Sequence, residues 1–121
     1  MSIDEDTGAQ GHGGKVTDTG VLRYAVDDSG EAAVLTLTGE LDLASTVELS
    51  ASMDELLVTG KDIVVEMAAL RFIDSTGMAV LVRAHKGAEQ AGHSLTLRHP
   101  LPNVAKTLSL AGLDRVFTIE D

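Results

Sequence analysis

A hydroxyl stands between an acid and a glycine in Arg71-Phe72-Ile73-Asp74-Ser75-Thr76-Gly77-Met78, and the chemistry of the sequence concentrates there. Asp, Ser and Thr are the residue types that open helices, because their short side chains accept hydrogen bonds from first-turn N–H groups that have no partner within the helix. Those same donors, with the positive end of the helix dipole, suit an anion. A phosphate on Ser75 would be accommodated at such a point and would add about −1.5 to −2 charges. Gly77 removes a side chain beside the hydroxyl, which would let another protein approach the backbone closely. A helix built for stability alone would carry Glu or Gln in that turn. Capping by itself explains most Asp-Ser-Thr triplets, so two readings stand together: a cap, and a cap that also presents a modifiable hydroxyl.

The other polar residues offer less. Glu40 and Asp42 are paired acids, but in a chain of formal charge −10 such residues are mostly solvated surface. Asp42 follows a strand that feeds a helix, as Ser75 does, which places both at the same end of a sheet. It serves either as a helix cap or as a contact for a partner. His12, His85, His93 and His99 show no metal-ligand spacing. His85 shares a helix phase with Met78, Leu81 and Val82, the position of a packed histidine. No phosphate-cradling glycine motif or nucleophile elbow is present. A stand-alone enzyme is therefore the least favoured class, and no metal or cofactor is expected.

Charge and composition narrow the partners. Nine Lys and Arg against 19 Asp and Glu repel nucleic acid phosphates and anionic lipid surfaces, so a partner with a basic face is expected. The aromatic share of 2% leaves no base-stacking platform and requires a core of Leu, Val, Ile, Ala and Met. With no cysteine, disulfides and thiolate chemistry are excluded, which fits a cytoplasmic protein. The opening Met-Ser-Ile-Asp-Glu-Asp is acidic where a secretory signal is basic, and no apolar run suits a bilayer.

The elements that would position Ser75 follow from the apolar pattern. Residues 1–20, rich in Gly, Asp and Thr, read as a flexible N-terminal tail. Val21 to Val26 and Ala33 to Thr38 are strands of a hairpin, turned by Asp27-Asp28-Ser29-Gly30. A helix capped by Ser45 or Asp42 carries Leu49, Met53, Leu56 and Leu57 on one side and stops before Gly60. Ile63-Val64-Val65 reads as a central strand buried on both faces. The helix opened by Asp74 ends near Gly92, Ser94 to Arg98 alternates as a strand, and Leu101, Val104, Ala105, Leu108 and Ala111 form a last helical stripe. Gly112 is its left-handed cap, and Val116 to Ile119 a final strand. The order β-β-α-β-α-β-α-β implies an α/β fold, a mixed sheet covered by helices, within one domain over residues 21–121.

Three short runs in this order and spacing carry a resemblance: Gly39-Glu40-Leu41-Asp42, Phe72-Ile73-Asp74-Ser75-Thr76-Gly77-Met78, and Leu110-Ala111-Gly112-Leu113. From about Val21 to Asp121 the chain resembles STAS domains of the anti-sigma factor antagonist family. The resemblance implies that Ser75 is a phosphate acceptor, with Asp42, Asp74, Thr76, Gly77 and Met78 contacting the partner. It implies an ATP-binding anti-sigma factor that is itself the serine kinase, bound only by the unphosphorylated antagonist, and a PP2C-type phosphatase that resets the switch. A monomer or weak dimer is expected. Two positions depart from the family pattern: Glu66 where Asp is common, and Met78 where Leu is usual.

Other uses of such a chain remain. The same fold serves as a subunit of a lipid-transport complex or as a stress-sensing scaffold, because fold does not fix function. A receiver domain would match in size and acidity, with Asp27 and Asp28 as its acidic pair. The hairpin and the lack of any lysine after Lys106 argue against it.

Overall fold

Alternation of apolar and polar residues from Ala32 to Leu41 fixes one strand face to a core and leaves the other wet. In the computed structural model, which describes residues 15–18 and 21–121, that strand lies inside a six-stranded sheet of order β1-β2-β3-β4-β5-β6. The strands are β1 (Lys15–Asp18), β2 (Leu22–Asp27), β3 (Ala32–Leu41), β4 (Asp62–Ile73), β5 (Leu95–Arg98) and β6 (Thr118–Glu120). The first two pairings, β1 with β2 and β2 with β3, are antiparallel; the remaining three are parallel. Helices α1 (Leu43–Leu57), α2 (Ser75–Gln90) and α3 (Pro102–Leu110) make the crossovers. Successive right-handed steps in one direction bring all three to the same face of the sheet.

Burial agrees with that layering. Leu35, Leu37, Ile63, Val65, Leu95 and Leu97 point into one core with Leu49, Met53 and Leu56 of α1, Val80, Leu81 and Ala84 of α2, and Val104 and Leu108 of α3. Tyr24 reaches the same core, and its hydroxyl meets that of Ser52 at 3.0 Å, so each satisfies the other away from water. His85 is packed, as its helix phase predicts, edge-on to Phe117 with ring centroids 5.4 Å apart.

The mixed α/β sheet and the hairpin agree with the sequence, and three details correct it. Val64 is only half-buried: helices cover one face, and the other carries Thr36, Glu66, Thr96 and Arg98. On that open face Arg98 donates to Glu66 at 2.9 Å and His99 lies 3.0 Å from the same carboxylate. Second, Lys15–Asp18, within the stretch read as a flexible tail, is an edge strand. Backbone pairing with β2 forms it, not apolar burial, for Val16 is 67% exposed. The rest of that stretch lies outside the described residues. Third, β3 and β4 run to Leu41 and Ile73, well past the short apolar cores that signal them. Among the described residues no helix is long and apolar enough to cross a membrane.

Candidate functional site

The parallel register of β3 and β4 ends on the pair Leu41 and Ile73. Their next residues, Asp42 and Asp74, are the N-caps of α1 and α2, so two helix N-termini begin side by side at one end of the sheet. The Asp74 N–H also donates to the Leu41 carbonyl at 3.2 Å, tying the two strand exits together. This confirms the placement of Asp42 beside the Ser75 helix. Asp42 is at the least a cap: its Oδ1 accepts from the Ala44 N–H at 3.1 Å, and the Ser45 hydroxyl accepts from its own N–H at 3.2 Å.

Gly39 makes this geometry possible. Its φ is +107°, and a β-carbon there would lie 2.3 Å from the Val21 carbonyl oxygen, so no other residue fits as the strand shifts register toward Asp42.

Asp74 organises the second cap. Its Oδ1 accepts from the Thr76 hydroxyl at 2.6 Å and from the Gly77 N–H at 3.0 Å. Desolvation is the largest single influence on this carboxyl and pushes its pKa up. Hydrogen bonds from the Thr76 hydroxyl and the Gly77 N–H, with smaller help from the nearby backbone N–H groups of Thr76 and Leu43, together outweigh it and hold the pKa below the usual aspartate range. Asp74 is therefore an anion at neutral pH, and it already engages one first-turn donor of α2, the Gly77 N–H.

Ser75 is the first residue of α2 and is exposed. Thr76 is half-buried and turned to Asp74. Met78 is half-buried and packs on the core. Gly77 corrects the sequence reading: it is buried, not open to a partner. A β-carbon at Gly77 would come 2.6 Å from Leu41 Cγ, 3.0 Å from the Leu41 carbonyl oxygen and 3.1 Å from Ile73 Cγ1. Glycine is required here because α2 starts in contact with the strand ends.

Beside the site runs a groove of about 580 Å³ between α1 and α2, reaching from Leu43 and Thr76 to Asp54 and Arg83. Sequence reasoning missed it. Its signal was the pair Leu43 and Val47, one turn apart and off the stripe of Leu49, Met53 and Leu56; they are 69% and 78% exposed. Among the described residues no cluster of three or more His, Cys, Asp or Glu could hold a metal ion.

A six-stranded mixed sheet led by a hairpin, with three crossover helices, places the chain in the α/β class of folds. A family model described as the Mlab STAS domain matches residues 24–119, and the chain belongs to that STAS family. It is 29% identical over 90 residues to an anti-sigma F factor antagonist of Paenibacillus polymyxa, covering 73% of this chain and 77% of that one. Its fold matches an anti-sigma factor antagonist from Mycobacterium paratuberculosis with a TM-score of 0.75 at 19% identity, covering 82% and 85% of the two chains. The Bacillus cell fate determinant SpoIIAA, solved in its phosphorylated form, matches with a TM-score of 0.64 at 22% identity, covering 79% and 89%.

Proposed function

We propose that the chain is an anti-sigma factor antagonist whose unphosphorylated form binds an anti-sigma factor serine kinase and releases a sigma factor. Phosphorylation of Ser75 by that kinase ends the binding, and a PP2C-type phosphatase restores it. The observation that carries this reading is an exposed serine at the first position of α2, immediately after an ionised cap. The relationship to an anti-sigma F factor antagonist supports it, as does a fold shared with a protein solved in a phosphorylated form. In this reading the chain is the substrate of a cytoplasmic kinase, not a catalyst.

The site suggests how the switch works. With Asp74 holding the Gly77 N–H, a phosphate on Ser75 finds one first-turn donor already taken and an anion beside it. Ser75 is exposed, so the dianion faces outward, where the partner meets it. An interface fitted to a small hydroxyl would strand that charge at a cost of about several kcal/mol, and about 1.4 kcal/mol is tenfold in affinity. Asp42, Thr76 and Met78 surround the contact; Gly77 acts through packing.

Ser75→Ala and Ser75→Asp variants test this in a titration with the anti-sigma factor kinase. Both should melt like the parent, with Ser75→Ala binding and Ser75→Asp failing to bind. Equal binding by the two would count against the switch. The other use of the fold, as a subunit of a lipid-transport complex or a stress-sensing scaffold, is separated by co-purification, which would then return transporter or scaffold subunits and no kinase.

A further inference from the structure

We infer that Thr76 is a latent second phosphate acceptor and that Asp74 selects between the neighbouring hydroxyls, keeping Thr76 silent so that Ser75 alone is modified. The inference rests on the kinase reading of Ser75 and adds to it the group that decides where the phosphate goes. The two hydroxyls are adjacent in sequence and unlike in bonding. Ser75 is exposed, and its hydroxyl is not hydrogen-bonded among the described residues. Thr76 is half-buried and donates to Asp74 Oδ1 at 2.6 Å, the length of a bond from a hydroxyl to an ionised carboxylate.

Burial does not silence Thr76, because it lines the groove between α1 and α2 and is not sealed in the core. The carboxylate does. In transfer from ATP, the acceptor oxygen bonds to the γ-phosphorus as the bond from that phosphorus to the β,γ-bridging oxygen breaks; ADP leaves with that oxygen, and the hydroxyl proton passes to a base. At Thr76 the hydroxyl is turned to the cap, and the bond that holds it is charge-assisted, roughly twice as strong as a neutral one. The same Oδ1 also accepts the Gly77 N–H at 3.0 Å, so Asp74 cannot swing off Thr76 without uncapping α2. Desolvation notwithstanding, its hydrogen bonds hold Asp74 below the usual aspartate range, which makes it a weak acceptor for the departing proton. A phosphate on Thr76 would then set a dianion against that carboxylate, a like-charge pair at close range. The Ser75 hydroxyl has no such bond to break.

The purified anti-sigma factor kinase with ATP is the probe, and the readout is the initial rate of phosphate gain at each residue, mapped by tandem mass spectrometry. Wild type, Ser75→Ala, Ser75→Ala with Asp74→Asn, and Ser75→Ala with Asp74→Ala are compared, with thermal melting of each followed in parallel. Asparagine caps a helix about as well as aspartate and carries no charge, so it separates loss of the carboxylate from fraying of the helix start. Phosphate on Ser75 alone is expected in wild type and none on Thr76 in Ser75→Ala. Both double variants should gain phosphate on Thr76, on the order of tenfold or more above Ser75→Ala. Thr76 modified in Ser75→Ala as fast as in the double variants would overturn the selection. A gain confined to Asp74→Ala would overturn it too, by assigning the silence to helix order. No gain in either double variant would do the same, by making Asp74 a requirement for transfer. Each of these results, obtained with wild type modified on Ser75, leaves the kinase reading intact. A wild-type chain left unmodified by the kinase would sink that reading and the selection with it.

Discussion

The Asp74 backbone N–H donates to the Leu41 carbonyl at 3.2 Å while its carboxylate accepts from the Gly77 N–H at 3.0 Å, so one residue both caps α2 and ties it to the strand end that feeds α1.

Removing that acid should cost more than an ordinary cap. Asp74→Ala is expected to destabilise the domain by about 1–2 kcal/mol, the upper range for a lost N-cap, read as a lower midpoint in urea. Because the folded-state pKa of Asp74 lies below its unfolded value, its contribution is complete above the unfolded pKa and is lost as pH falls through the folded one. Melting temperature in the parent should therefore fall as pH drops below about 4. Asp74→Asn should flatten that acid limb; an unchanged limb would show that the carboxylate is not held as described.

Gly77→Ala separates packing from partner access. Alanine gains about 1 kcal/mol of helix propensity over glycine, but overpacking against Leu41 and Ile73 costs about 1–3 kcal/mol. Net destabilisation in chemical denaturation is expected. A stabilised variant with impaired partner binding would restore the open-backbone role that the buried position denies.

Tyr24 and Ser52 share one buried hydrogen bond. Tyr24→Phe and Ser52→Ala should each cost about 1–3 kcal/mol by leaving the other hydroxyl unsatisfied, and the double variant should cost less than the sum. Additive losses would mean that the two hydroxyls do not depend on each other.

Much of this was legible in the residues. The hairpin follows from Asp27 to Gly30 between alternating apolar segments, and the caps at Asp42 and Asp74 follow from their side-chain chemistry. Other features depend on contacts far apart in sequence. Lys15–Asp18 carries little apolar signal because its strand is held by pairing to β2. Val64 sits in a continuous apolar run, yet whether helices cover one face or two is decided by strand order, which no local pattern contains. Gly77 looked like an opening for a partner because its neighbour Leu41 is 36 positions away along the chain.

The most direct measurement is phosphosite mapping combined with binding. The chain is incubated with ATP and the anti-sigma factor kinase, the modified residue is located by tandem mass spectrometry, and the modified and unmodified forms are titrated against the kinase. A single phosphate on Ser75, with binding by the unmodified form only, is the expected result. Modification elsewhere, or equal binding by both forms, would contradict it.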